Sequence, residues 1–202
     1  MDFEFDCDDI HHVLCFMQTV IFKYEGMVRQ FLVDDKGTVL IAAFGVPPFS
    51  HEDDSIRGVQ AAVEIHTKLK SFELDNSIGV TTGDVFCGSV GSDKRQEYAM
   101  VGDIVNLSAR LMVAAGRQDV GVLCDHMTYK KSTEKVVFEE LDPIMVKGKS
   151  EPILIYRPLG KQGSRSSHLP SELQSKYCRQ ASRIHKMMGS FETSKVSVWF
   201  LF

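Results

Sequence analysis

The sequence predicts an α+β domain, an α/β sandwich in which one sheet carries helices on its face. Three observations predict it. Helical-period stretches alternate with short apolar runs of strand length. Several of those runs are close enough to pair as hairpins. Gly or Pro separates one element from the next.

The elements follow in order. "DDIHHVLCFMQTVIFKYEG" sets Ile10, Val13, Met17, Val20, Ile21 and Tyr24 at helical spacing, and Gly26 ends it. "VRQFLVDD" reads as a strand, Asp35–Gly37 as a tight turn, and "TVLIAAFG" as the returning strand. In "VPPFSHEDD", Ser50 is the expected cap of a helix with acids in its first turn. That helix shows Ile56, Val59, Val63 and Leu69 on one face. "SIGVTTG" and "DVFCGSVG" are strands around Gly83 and Asp84, and "EYAMVG" is a third. "DIVNLSARLMVAAG" is a helix with Ile104, Leu107, Leu111 and Ala114 apolar. "VGVLCD" is a buried strand and "HMTYKKST" a short helix; "KVVFEELD", "PIMVKGK" and "PILIYRP" read as three more strands.

Composition narrows the function class. Of 202 residues, 44% are hydrophobic and 25% charged, a globular balance with no apolar run of the ~20 residues a membrane helix needs. The acidic start "MDFEFDCDD" is neither a secretory signal nor a transit peptide, so a cytoplasmic protein is expected. A net charge of −4 argues against a nucleic-acid partner. The five Cys form no CxxC, and reduced thiols are expected. His11 and His12 read as a solvated patch rather than a metal site.

Charge also divides the chain. Beyond Pro158, seven Lys or Arg stand against two acids, whereas the preceding body is acidic. Residues 1–158 are expected to form the domain. Residues 159–202 are expected to form a Gly/Ser/Pro-rich linker and a basic helical tail towards a further domain. The apolar end "VSVWFLF" is expected to pack on something, in a chain cut from a longer protein or altered at its end.

One helix departs from simple packing. Asp103, Asn106 and Arg110 fall at i, i+3 and i+7, one stripe on one face. Asp103 alone reads as a helix cap. Asn is a poor helix former, and an Arg one turn on offers a fixed fork of donors to an anion. Spacing leaves a solvated face and an anion site both open. "GSVGSD" lacks the Lys-Ser/Thr of a phosphate loop, so Gly88 and Gly91 read as backbone accommodations.

The stretch "SIGVTTGDVFCGSVGSDKRQEYAMVGDIVNLSARLM", Ser77 to Met112, resembles the signature region of class III adenylyl and guanylyl cyclases. "TVLIAAFG" and "VKGKSEPILIYRP" resemble its flanking segments in the right order. The resemblance covers roughly Gly26 to Pro158 and is strongest to the second cyclase domain of bicarbonate-responsive soluble adenylyl cyclases. It implies a ferredoxin-like α/β sandwich of the class III nucleotidyl cyclase type. It also implies conversion of ATP to cyclic AMP and pyrophosphate at the interface of two cyclase domains. By that resemblance Asn106 orients the ribose and Arg110 stabilises charge on the α-phosphate. Lys147 binds the terminal phosphates, with Lys149 a neighbour able to substitute.

The resemblance also locates departures. Thr38 stands where metal-bearing domains place an Asp, and the first strand, which carries their other Asp, is expected to be missing or cut short. The Mg2+ or Mn2+ ions are therefore expected on a partner domain, with no metal ligand here. In base selection Ala99 replaces a side chain with a donor or acceptor, leaving the Met100 backbone, Gln30, Asp34 and Asp103 as candidate nucleotide-pocket groups. The Glu and Cys of guanylyl cyclases are also absent from these positions, and ATP is the expected substrate. Two alternatives share the fold: a catalytically silent regulatory module that binds nucleotide, and a plain dimerisation module.

Overall fold

The computed structural model describes residues 7–34, 37–46, 49–161 and 195–201. Helix α1 (Cys7–Lys23) leads into the hairpin of β1 (Met27–Asp34) and β2 (Gly37–Ala43). Helix α2 (Asp54–Ser71) returns the chain to β3 (Asp75–Thr81). Then come β4 (Phe86–Ser92), β5 (Arg95–Val101), α3 (Asp103–Gln118), β6 (Val122–Asp125), α4 (His126–Ser132), β7 (Val136–Ile144) and β8 (Ile153–Lys161). A last strand, β9, spans Lys195–Leu201.

The main sheet has seven strands in the order β1-β2-β9-β3-β6-β8-β7. β9 lies in the middle, parallel to both β2 and β3, with Val198 opposite Leu40 on one side and Ile78 on the other. β3 continues parallel to β6, while β8 and β7 close the sheet antiparallel. β4 and β5 form a separate two-stranded hairpin.

Alternation along β3 distributes the helices. Ile78 and Val80 join a core with Met17 and Ile21 of α1 and Val59, Ile65 and Leu69 of α2. Gly79, between them, faces α3 on the opposite side, where a Cβ would meet the helix backbone at Ser108 and Met112. Likewise Val122 and Cys124 of β6 face α1 and α2, whereas Leu123 joins Leu107, Leu111 and Ala115 of α3. The sandwich expected with helices on one face is thus extended: α3 is applied to the other face.

Local expectations differ at four places. Ser50 does not cap α2; Asp53 holds the cap position without a side-chain bond, and the His51 N–H donates to Asp54 Oδ2 at 2.7 Å. Asp103 is not the cap of α3 but its first helical residue, after Gly102. "PIMVKGK" is not a separate strand: β7 runs on to Ile144, and residues 145–152 form a loop. β8 continues past Pro158 to Lys161, and Lys195–Leu201 of the expected tail pairs inside the sheet. The expected linker and helical stretch between them, 162–194, lies outside the described residues.

A buried polar knot ties the sheet to α4. Asp125 Oδ1 accepts from Thr82 N–H at 3.3 Å, Thr128 N–H at 3.1 Å and Thr128 Oγ1 at 2.6 Å. Burial pushes the Asp125 carboxyl up from its ordinary range, against the downward pull of those donors.

Candidate functional site

Helix α3 positions the site. Two of its stripes are committed to packing: Leu107, Leu111 and Ala115 are buried against Leu123 and Ile155, and Ser108 lies against Gly79. Thr81 Oγ1 adds a 3.1 Å bond to the Ile104 carbonyl, fixing the first turn to the end of β3. Those anchors turn Asn106, Arg110, Val113, Ala114 and Arg117 outward along a groove of about 500 Å3. Its other wall is Ile144–Lys147, which follows from the end of β7.

Asn106, Arg110 and Lys147 therefore line one groove, although 37 positions separate the last two in the chain. Asn106 is exposed at the mouth and Lys147 is exposed on the loop. Arg110 is half-buried, and its Nη1 is buried with no hydrogen-bond partner among the described residues. A buried guanidinium nitrogen with no acceptor is costly, and an anion in the groove is the kind of group that would supply one. Gly148, at φ +81°, brings the loop backbone against this guanidinium; a Cβ there would stand 3.4 Å from Arg110 Nη2.

The other sequence candidates lie outside the groove lining. Ala99 and Met100 are half-buried on β5, opposite Gly88 and Cys87. Gln30 is exposed on β1, and Asp34 ends that strand opposite Gly37. Asp103 is exposed and paired with Lys149, Nζ to Oδ2 at 2.5 Å. That cation holds the Asp103 carboxyl below the usual carboxylate range, with a smaller contribution from the Arg110 charge. The two candidate lysines are thereby divided: Lys147 faces the groove, while Lys149 is occupied by Asp103.

Sequence reading missed Arg117, about two helical turns beyond Arg110 on the same groove-facing side of α3. Extending the i, i+4, i+7 periodicity past Arg110 finds it. It also missed the Asp103–Lys149 pair, whose partners lie 46 positions apart and carry no local signal.

The described residues do not fit a divalent-ion site. No group of three His, Cys, Asp or Glu could hold a metal among them. Thr38 is a buried neutral hydroxyl, which cannot stand in for a carboxylate.

Residues 33–157 match the family described as adenylate and guanylate cyclase catalytic domain. Over 145 residues the chain is 32% identical to adenylate cyclase type 10 of Rattus norvegicus, covering 70% of this chain and 9% of that protein. It is 26% identical over 160 residues to the terminal-differentiation specific adenylate cyclase of Dictyostelium discoideum, covering 74% of this chain and 7% of the relative. The chain thus spans about a tenth of the length of these curated relatives. Among solved structures, the adenylyl cyclase CyaB from P. aeruginosa superposes with a TM-score of 0.66 at 25% identity, covering 82% of this chain and 88% of that one. The guanylyl cyclase Cya2, at 24% identity and a TM-score of 0.58, shares the fold.

Proposed function

We propose, for a chain that belongs to the adenylate and guanylate cyclase catalytic domain family, that it supplies one half of a paired catalytic core converting ATP to cyclic AMP and pyrophosphate. The observation that carries this reading is the buried, unpartnered Nη1 of Arg110 in a groove shared with Asn106 and Lys147. In the reaction the ribose 3′-hydroxyl gives up its proton to solvent as its oxygen forms a bond to the α-phosphorus. The bond from that phosphorus to the bridging oxygen breaks, and pyrophosphate leaves. The Asn106 amide orients the ribose. Arg110 stabilises the charge gathering on the α-phosphate, preorganised because its surroundings already deny it another acceptor. Lys147 holds the terminal phosphates.

This half lacks what such a reaction also needs. The Mg2+ or Mn2+ of these enzymes belongs on a second cyclase domain, because the residues here do not fit it. The β4–β5 hairpin supports pairing with such a domain: it stands outside the main sheet with Phe86, Val90 and Val101 exposed. Relatives named adenylate cyclase favour ATP over GTP as the substrate. We assign residues 1–158 to the cyclase domain, together with the end of β8 and with β9, which pairs inside its sheet. No helix among the described residues is long and apolar enough to cross a membrane, and we assign the reaction to the cytoplasm.

Thr38 and Ala99 favour a second reading, a silent cyclase-like module that binds nucleotide and pairs with an active domain. One reconstitution separates the two. The chain is mixed with a metal-bearing first cyclase domain, ATP and Mg2+ or Mn2+, and cyclic AMP is measured. The mixture is expected to be active, and Arg110→Ala to lower the rate about 10²–10³-fold. An unchanged rate with Arg110→Ala rejects the catalytic reading in favour of the silent one.

A further inference from the structure

The loop that carries Lys147 is weakly anchored. Of residues 145–151, Val146 alone is buried, in the core with Leu107 and Leu111, and the loop's own bond runs from Lys149 N–H to the Val146 carbonyl. Two contacts reach α3. Gly148 lies against the Arg110 guanidinium, and Lys149 Nζ reaches Asp103 Oδ2. Asp103 and Arg110 are seven residues apart on one stripe, about 10 Å along the helix axis. The loop is thus held at two points that bracket Asn106, with Lys147 facing the groove between the loop and the helix.

We propose that the Asp103–Lys149 ion pair is a clamp that positions Lys147 opposite Arg110, so that Asp103 and Lys149 set the phosphate subsite without touching the nucleotide. Without the pair, Val146 becomes the hinge and Lys147 is free to swing away from the groove. Gly148 suits the same arrangement because its φ of +81° disfavours a side chain. This inference rests on the reading of the groove as a phosphate-binding site. It replaces both roles considered from sequence, Lys149 as a substitute phosphate ligand and Asp103 as a nucleotide contact.

The sign of one substitution separates clamp from ligand. If Lys149 bound phosphate itself, Asp103→Asn would release it and strengthen ATP binding; a clamp predicts the reverse. The test uses the full chain in two assays. Amide hydrogen exchange is followed across residues 145–150 in the chain alone. The KM and kcat for ATP are measured in the reconstituted pair. An exposed ion pair of this kind predicts about two- to fivefold faster exchange in Asp103→Asn and in Lys149→Met, the effect fading near 1 M salt. KM is expected to rise by about the same factor with kcat little changed, since Lys147 contributes binding common to ground and transition states. Lys149→Arg is expected to restore both readouts. A lower KM in Asp103→Asn overturns the clamp, as does unchanged exchange in both single variants. Faster exchange with an unchanged KM overturns the positioning of Lys147. If the wild-type pair makes no cyclic nucleotide, the proposed function fails, and the exchange measurements alone decide whether the clamp exists.

Discussion

Gly79→Ala is the substitution by which the fold should reach the site most directly. Gly79 lies in β3 beneath α3, and a Cβ built on it would stand 2.6 Å from the Met112 nitrogen and nearer still to the Ser108 carbonyl oxygen. Both obstacles are helix backbone, so no rotamer change relieves them. An ordinary contact needs at least 3.4 Å and the Ser108 oxygen would stand at 2.0 Å, so α3 must retreat by more than about 1 Å. Elsewhere a Gly→Ala change at an ordinary φ stabilises by about 0.4–1 kcal/mol through the unfolded chain; here the sign reverses. Overpacking costs about 1–3 kcal/mol, and each kcal/mol lowers Tm by about 2–4 °C in a domain of this size. The variant should melt about 2–12 °C lower in a thermal scan. The displaced helix carries Asn106 and Arg110, and a shift of about 1 Å at reacting groups costs about 10²-fold in rate. Cyclic AMP formation in the reconstituted pair should fall accordingly. A Tm equal to or above that of wild type, with activity within twofold, would refute the account of α3 packing.

Other perturbations test separate parts of the structure. Arg110→Met should leave Tm unchanged or raise it while abolishing reconstituted activity, because it removes a buried donor without an acceptor; a clearly lowered Tm would show that Arg110 is a structural residue. Asp125 titrates above its unfolded value, so the folded state takes up a proton as pH falls through that raised value and gains stability relative to the unfolded chain. The Tm of wild type minus that of Asp125→Asn should therefore grow as pH falls from 7 towards 4, and a shrinking difference would contradict the raised carboxyl. Val198→Pro removes a ladder donor in the middle of the sheet and brings a ring that a central strand does not accommodate; amide exchange in Thr38–Ala43 and Asp75–Thr81 should rise together. Continued protection of both strands would place β9 outside the sheet.

Much of the fold is legible in the sequence because its periodicities are local. The 3.6-residue spacing of Val13, Met17, Val20 and Ile21 marks α1, and all four are buried. Strands β1, β2, β3 and β6 stand where short apolar runs meet turn residues. The position of β9 is not legible. The apolar end "VSVWFLF" announces burial but not a strand or its neighbours, and its partners lie more than a hundred positions away. Nor does the sequence say which face α3 covers; that follows from Gly79, the one position on β3 flat enough to admit a helix backbone. At the site, the stripe from Asn106 to Arg110 is a local pattern and shows itself. The different settings of Lys147 and Lys149 depend on a long-range ion pair, and two lysines in "VKGK" are equivalent until Asp103 claims one of them.

The sheet order adds a constraint on how the chemistry is divided. In hydrogen-bonding terms β1 and β2 reach the rest of the sheet through β9. Every residue lining the groove, from Asn106 to Lys147, belongs to the part beyond β9, and so do both members of the clamp. Gln30, Asp34 and Thr38 belong to the β1–β2 side. The groups proposed to hold phosphate are thus assembled in one part of the sheet, within the span from β3 to β8. The metal-associated position Thr38 and the base candidates Gln30 and Asp34 lie in the other part, whereas Ala99 and Met100 sit on the separate β4–β5 hairpin. Under the proposed pairing, a half-site built this way would meet the phosphates with cations already in place and leave the carboxylate chemistry to the domain that faces it.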